Sequence, residues 1–223
     1  MGTCARRKTL IRNPSVKEIY EILFCVFGPQ HWWPAQTPFE VMVGAILVQN
    51  TNWANTERAI ENLRAKKLLS PKKLKTVSVK ALARAIKPAG YFNIKTKRLK
   101  NFIRFFFNSY NGNLEKMKAQ DGEVLRRQLL EVNGIGEETA DSILLYALDK
   151  PFFVVDAYTK RIFSRHGFLK EKPEYGYVQK FFMQQLPKDI KVYNEYHALV
   201  VRLAKDFCRT KPLCGQCPLR IFL

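Results

Sequence analysis

Three stretches of this 223-residue chain combine reactive side chains with backbone able to present them. In LLEVNGIGEETADSILLYAL, residues 129–148, an amphipathic segment ends, Gly134-Ile135-Gly136 turns tightly, and a second helical segment begins at once. The glycines admit a close backbone partner, and Ile135 between them is placed to return to the core. The N–H groups at the positive end of the following helix form a cradle for phosphate. In PFFVVDAYTKRIFSRHG, Asp156 follows an apolar run and opens a helix carrying Lys160, Arg161 and Arg165. An aspartate there caps the helix. Backed by Phe152, Phe153 and Val154, it is also partly desolvated and available for proton transfer. In CRTKPLCGQCPLRIFL, Cys208, Cys214 and Cys217 have the close spacing of metal ligands.

The elements that must position these groups read as helices throughout. Ser15 and Glu18 form a capping box for VKEIYEILFCVF, with Gly28 as the stop. Further helices are expected over Phe39–Val48, Asn52–Lys66, Ser78–Ile86, Lys95–Tyr110, Asp121–Val132, Glu137–Leu148, Ala157–His166, Tyr175–Leu186 and Asp189–Phe207. Each is bounded by Gly, Pro, Asn or Asp, and no segment alternates with period two. The fold class is therefore all-α.

Charge narrows the partners. Thirty-eight Lys plus Arg against nineteen Asp plus Glu leave a net +19. A lysine-rich soluble surface would produce the same count, but a polyanion such as nucleic acid accounts for it more directly. No single helix gathers the charge opposite an apolar face, as a membrane-surface helix does. The longest apolar run, FEVMVGAILV, is about half of what a bilayer requires. The start, MGTCARRKTLIRNPS, lacks the apolar stretch of a signal peptide, and Arg6 stands where a myristoylation motif needs Ser or Thr. These features point to a cytoplasmic chain without a membrane partner, its five cysteines reduced.

Taken in order, VNGIGEETA, then VVDAYTKRI, then the Cys208/Cys214/Cys217 tail resemble the helix-hairpin-helix (HhH-GPD) DNA glycosylases of the endonuclease III superfamily, over roughly Phe39 to Cys217. The resemblance implies two helical domains with double-stranded DNA held in the cleft between them, acted on by a monomer. One domain would comprise residues 39–148, a helical barrel ending in the hairpin 129–148. The other would join residues 1–38 to 149–223. Bifunctional members carry a Schiff-base lysine two positions after the second hairpin glycine. Here that position is Glu138, so the resemblance implies a monofunctional enzyme in which Asp156 activates water and stabilises the sugar cation. Lys160 would supply only adventitious lyase activity. The alternatives are a bifunctional glycosylase/lyase for oxidised pyrimidines, and a DNA-binding module without catalysis.

The three tryptophans fall within HWWPAQTPFE and VQNTNW. Trp32 and Trp33 adjoin Pro34, and neighbouring side chains point in different directions, so both cannot easily be core. With Trp53 they suit stacking on a flipped base. This entry and the QNT turn are similar to the small bacterial 3-methyladenine DNA glycosylases, which implies alkylated purines as substrates. The resemblance also places Gln49 and Asn50 against the strand opposite the lesion, with Gly134, Ile135, Gly136 and Lys160 as DNA contacts. Lys95, Lys97, Arg98 and Lys100 read as a phosphate-contacting run, and His197 receives no catalytic role.

Relatives of the endonuclease III type bind a [4Fe-4S] cluster through four cysteines. Here the fourth would fall at residue 223, which is Leu223, so three readings stay open: a chain truncated or altered at its end, a cluster on three thiolates and an outside ligand, or a lost cluster. Zinc fits less well, because His197 lies about three turns, roughly 16 Å, upstream of Cys208.

Overall fold

The computed structural model describes residues 14–222; the amino-terminal stretch discussed above and Leu223 lie outside them. Among the described residues every regular element is helical: α1 (Val16–Phe27), α2 (Pro38–Leu47), α3 (Trp53–Ala65), α4 (Pro71–Thr76), α5 (Val79–Ala85), α6 (Phe92–Tyr110), α7 (Leu114–Ala119), α8 (Gly122–Leu130), α9 (Glu137–Ser142), α10 (Ala157–Arg165), α11 (Tyr175–Gln185) and α12 (Ile190–Asp206). Among the described residues no helix is long and apolar enough to cross a membrane. The all-α fold is as expected, and the Ser15/Glu18 capping box and the left-handed Gly28 stop frame α1. Two helices of six residues, α4 and α7, fall where no helix was expected. The expected helix Glu137–Leu148 changes character part-way, passing into a π turn over Ile143–Ala147.

The chain divides into two compact units, one running up to Trp32 and resuming at Pro151, the other spanning Trp33–Lys150. In the second unit α2 is buried on every side from Phe39 to Leu47, as a helix that is apolar all round must be. Its one carboxylate, Glu40, is covered by Arg64 at 2.8 Å. Along α6, Phe102 and Phe106 stack with centroids 6.2 Å apart, and Phe39 of α2 stacks on Phe106.

The four cations expected to contact phosphate, Lys95, Lys97, Arg98 and Lys100, separate into two kinds. Lys95 is 1 % exposed, and its ammonium donates to Leu47 O at 2.8 Å and Ala89 O at 2.7 Å. Lys100 donates to Leu74 O, Lys75 O and Val77 O. Both satisfy carbonyls that helix ends leave without partners, so neither is free for phosphate. Lys97 is exposed and Arg98 half-buried.

Burial, with help from Arg98, pushes the Lys95 amine down from 10.5 to about 8. The folded state thus carries a penalty that is full below pH 8 and fades as the amine loses its proton, while the unfolded chain stays charged up to 10.5. Relative to Lys95→Met, the wild-type chain should gain about 3 kcal/mol of unfolding free energy between these limits, at about 1.4 kcal/mol per unit. Urea titrations of both proteins at the two ends of the window measure this, and a constant difference would refute it.

In the first unit, Phe153 stacks on Phe182 at 4.3 Å, and Phe163 meets Phe182 edge-on at 4.7 Å. Tyr193 and Tyr196 are fully buried on α12, where the Tyr196 hydroxyl donates to Val16 O at 2.7 Å and ties the carboxy-terminal helix to α1. Gln179 donates to Phe153 O, fixing the extended segment that leads into Asp156.

Candidate active site

The hairpin between α8 and α9 is assembled from residues distant in the chain. Gly134 sits at φ +97, a conformation that side chains disfavour. Ile135 is 4 % exposed and turns inward, its N–H donating to Val132 O. Gly136 caps α9 without a side-chain hydrogen bond. Arg126 of α8 holds Asp141 of α9 through two bonds of 2.7 and 3.0 Å.

Gln49 closes the turn from the other side. Its amide donates to Gly134 O at 3.1 Å and to the Thr139 hydroxyl at 2.8 Å, and its oxygen accepts from Arg98. Its hydrogen bonds are therefore spent on the hairpin, whereas Asn50 is exposed at φ +53. The stem of Arg98 lies over Gly134, where an added Cβ would meet Arg98 Cγ at 2.3 Å. Gly134→Ala should consequently destabilise the second unit by about 1–3 kcal/mol through backbone strain alone and weaken duplex binding. Adding Arg98→Ala relieves the collision but not the φ, so only part of the lost stability should return in thermal unfolding.

Asp156 caps α10: Oδ1 accepts from the Thr159 N–H at 2.7 Å and the Thr159 hydroxyl at 2.8 Å. Oδ2 stands 3.6 Å from Nε2 of His197, and both side chains are nearly buried. Burial pushes the Asp156 carboxyl up, but His197 and the two Thr159 donors outweigh it and hold the acid below the usual carboxylate range. Asp156 is thus an ionised, oriented carboxylate with one oxygen committed to structure. His197 was missed from sequence, although it shares the buried stripe of α12 with Tyr193, Tyr196 and Val200, where a polar residue requires a partner. Lys160 is half-buried, its ammonium 6.0 Å from the Tyr175 ring centroid.

In the second unit Trp33 is the centre of an aromatic trio. Its ring lies 5.3 Å from Trp53, nearly perpendicular, and 5.3 Å from Tyr146 at 52°. Tyr146 carried no sequence signal, because the apolar run around it read as a plain helix. Trp32 is half-buried and Pro34 exposed. Glu138 is exposed on α9, where Ser142 Oγ donates to its carbonyl at 2.7 Å.

The cysteine tail does not fit a four-thiolate cluster. Cys208 and Cys217 are buried and Cys214 is exposed, and burial together with the other two thiols pushes the Cys217 thiol up. The Arg165 guanidinium reaches into the loop, donating to Cys208 Sγ at 3.4 Å, Arg209 O at 2.7 Å and Thr210 O at 3.1 Å. Among the described residues no group of His, Cys, Asp or Glu gathers to hold a metal. The expectation of reduced cysteines throughout also needs correction, since Cys25 is disulfide-bonded.

A helical unit carrying an uncapped glycine hairpin, in a chain with an oriented carboxylate after a hydrophobic run, defines an all-α helix-hairpin-helix protein. Residues 43–188 match the family model described as "HhH-GPD superfamily base excision DNA repair protein", and the chain belongs to that superfamily. It is 52% identical over 209 residues to MJ1434 of Methanocaldococcus jannaschii, described as a candidate DNA repair glycosylase, covering 93% of this chain and 94% of that one. The Helicobacter pylori 3-methyladenine DNA glycosylase MagIII, solved with 1,N6-ethenoadenine, superposes with a TM-score of 0.75 at 27% identity, over 84% of this chain and 96% of MagIII. An endonuclease III–DNA complex shares the fold, with a TM-score of 0.79 at 20% identity over 93% and 92% of the two chains.

Proposed function

We propose that this protein is a monofunctional DNA glycosylase that hydrolyses the N-glycosidic bond of alkylated purines, such as 3-methyladenine, in double-stranded DNA. The observation that carries the reading is Glu138, two residues after Gly136. A carboxylate cannot form a Schiff base with the sugar, so the attacking group is water. The likeness to MagIII supports the substrate class.

Asp156 supplies the base. With Oδ1 held by Thr159, Oδ2 orients a water, and the charge of the carboxylate stabilises the oxocarbenium-like sugar. The C1′–N bond breaks, and its electron pair neutralises the positive charge of the alkylated purine. Water oxygen bonds to C1′, and its proton passes to the carboxylate. Because the leaving base starts out cationic, no partner acid is needed. Trp32, Trp33, Pro34 and Trp53 supply stacking surface for the flipped base. Gly134, Ile135, Gly136, Asn50 and Lys160 contact DNA, and Gln49 serves it by holding the hairpin. The enzyme acts as a cytoplasmic monomer.

Base release from a panel of lesion duplexes, read with and without hot alkali, tests this. Release of methylated purines with strands cut only after alkali is expected. Strand cleavage without alkali, with a borohydride-trapped adduct that survives Lys160→Ala and Lys205→Ala, would instead establish the bifunctional lyase.

A further inference from the structure

Four of the five side chains in the π turn, Ile143, Leu144, Leu145 and Ala147, are buried, and Tyr146 alone is partly exposed. In an uninterrupted α-helix, residue 146 would stand about 80° around the axis from residue 138, at 100° per residue. The wider i→i+5 closure winds Tyr146 back toward the face shared by Glu138 and Ser142. Its ring meets Trp33, 5.3 Å away, and Trp33 in turn meets Trp53. Giving up regular i→i+4 bonding to bring one aromatic ring against a tryptophan pair is the pattern of a functional π turn.

We infer that Tyr146 is a specificity-determining residue whose ring, with Trp33 and Trp53, selects positively charged alkylated bases over neutral lesions. The inference rests on the alkylpurine reading above and extends it to a residue on the hairpin helix. Stacked rings attract a cationic base through their electron-rich faces, and a neutral base of similar size gains only stacking. The exposed Glu138 carboxylate, two turns earlier on that face, adds to the preference for positive charge.

The test compares Tyr146→Phe and Tyr146→Leu with wild type on duplexes containing cationic 7-methylguanine and neutral 1,N6-ethenoadenine. Tyr146→Leu should lower kcat/KM for 7-methylguanine about 10-fold more than for ethenoadenine, and Tyr146→Phe should keep the wild-type ratio. Equal losses on both lesions, or none, would overturn the inference while leaving the proposed function intact. Tryptophan fluorescence provides a readout independent of catalysis. In mildly acidic buffer, 7-methylguanosine is cationic and should quench the wild-type protein more strongly than guanosine does, a difference that Tyr146→Leu removes. If wild type releases no alkylated base but shows this Tyr146-dependent quenching, the proposed function fails and the cation preference stands. If it shows neither, both fail.

Discussion

Asp156→Asn should lower the rate of base release by about 10²- to 10⁴-fold, the usual contribution of a positioned general base, without unfolding the protein. Asparagine caps helices as well as aspartate does, and its Oδ1 retains both bonds from Thr159. The charge at Oδ2 beside His197 is what disappears. The variant thus separates the fold from the proposed catalysis, because structure uses Oδ1 and the proposed base is Oδ2. Single-turnover base release alongside thermal unfolding makes the measurement. A variant that unfolds like wild type and releases base as fast would remove Asp156 from the catalytic machinery. A variant that unfolds early would show that Oδ2 also carries structural weight through His197.

The same division between local and distant causes explains what the sequence revealed. Caps, glycine stops and the helical period are local, so the all-α class and most helix boundaries could be read directly. The short helices α4 and α7 could not, since six residues hold less than two turns of periodicity. Their signals were the cap residues Ser70 and Asn113, with Pro71 at the first position of α4. Lys95 and Lys100 looked like phosphate contacts because a lysine in sequence carries no mark of the carbonyls it will meet; those of Leu47 and Leu74 are far away in the chain, and that of Ala89 lies on the preceding turn.

At the site, Asp156 and the hairpin were legible because a cap and a glycine turn are written in adjacent residues. Tyr146 was not, because the change to π geometry arises from packing around Ile143–Leu145 and leaves no spacing of its own. Gln49 lay in a motif that pointed to DNA, while its bonds go to Gly134, Thr139 and Arg98. The cysteine spacing suggested a metal; what the sequence did not show is that backbone bonds and Arg165 also hold the loop.

The largest loss of stability is expected at Arg126. Asp141 is fully buried and held by two guanidinium bonds, with Glu137 3.8 Å from the same group at a more exposed position. Arg126→Leu would leave that carboxylate without its principal counter-charge, which costs about 3–5 kcal/mol in buried pairs. Glu137 contributes little, as exposed pairs do. Replacing both partners, Arg126→Leu with Asp141→Leu, removes the buried charge as well, so urea unfolding should recover most of the loss. Equal destabilisation of the single and double variants would show that packing of α8 against α9, not charge, holds the hairpin. The outcome bears on function because α9 has only six regular residues, too few to be stable alone. Arg126 grips one side of it and Gln49 the other, and both help to hold its first turn in place. Loss of the Arg126 grip should therefore weaken binding to undamaged duplex too, whereas the double variant, still without that tether, should regain stability before it regains affinity.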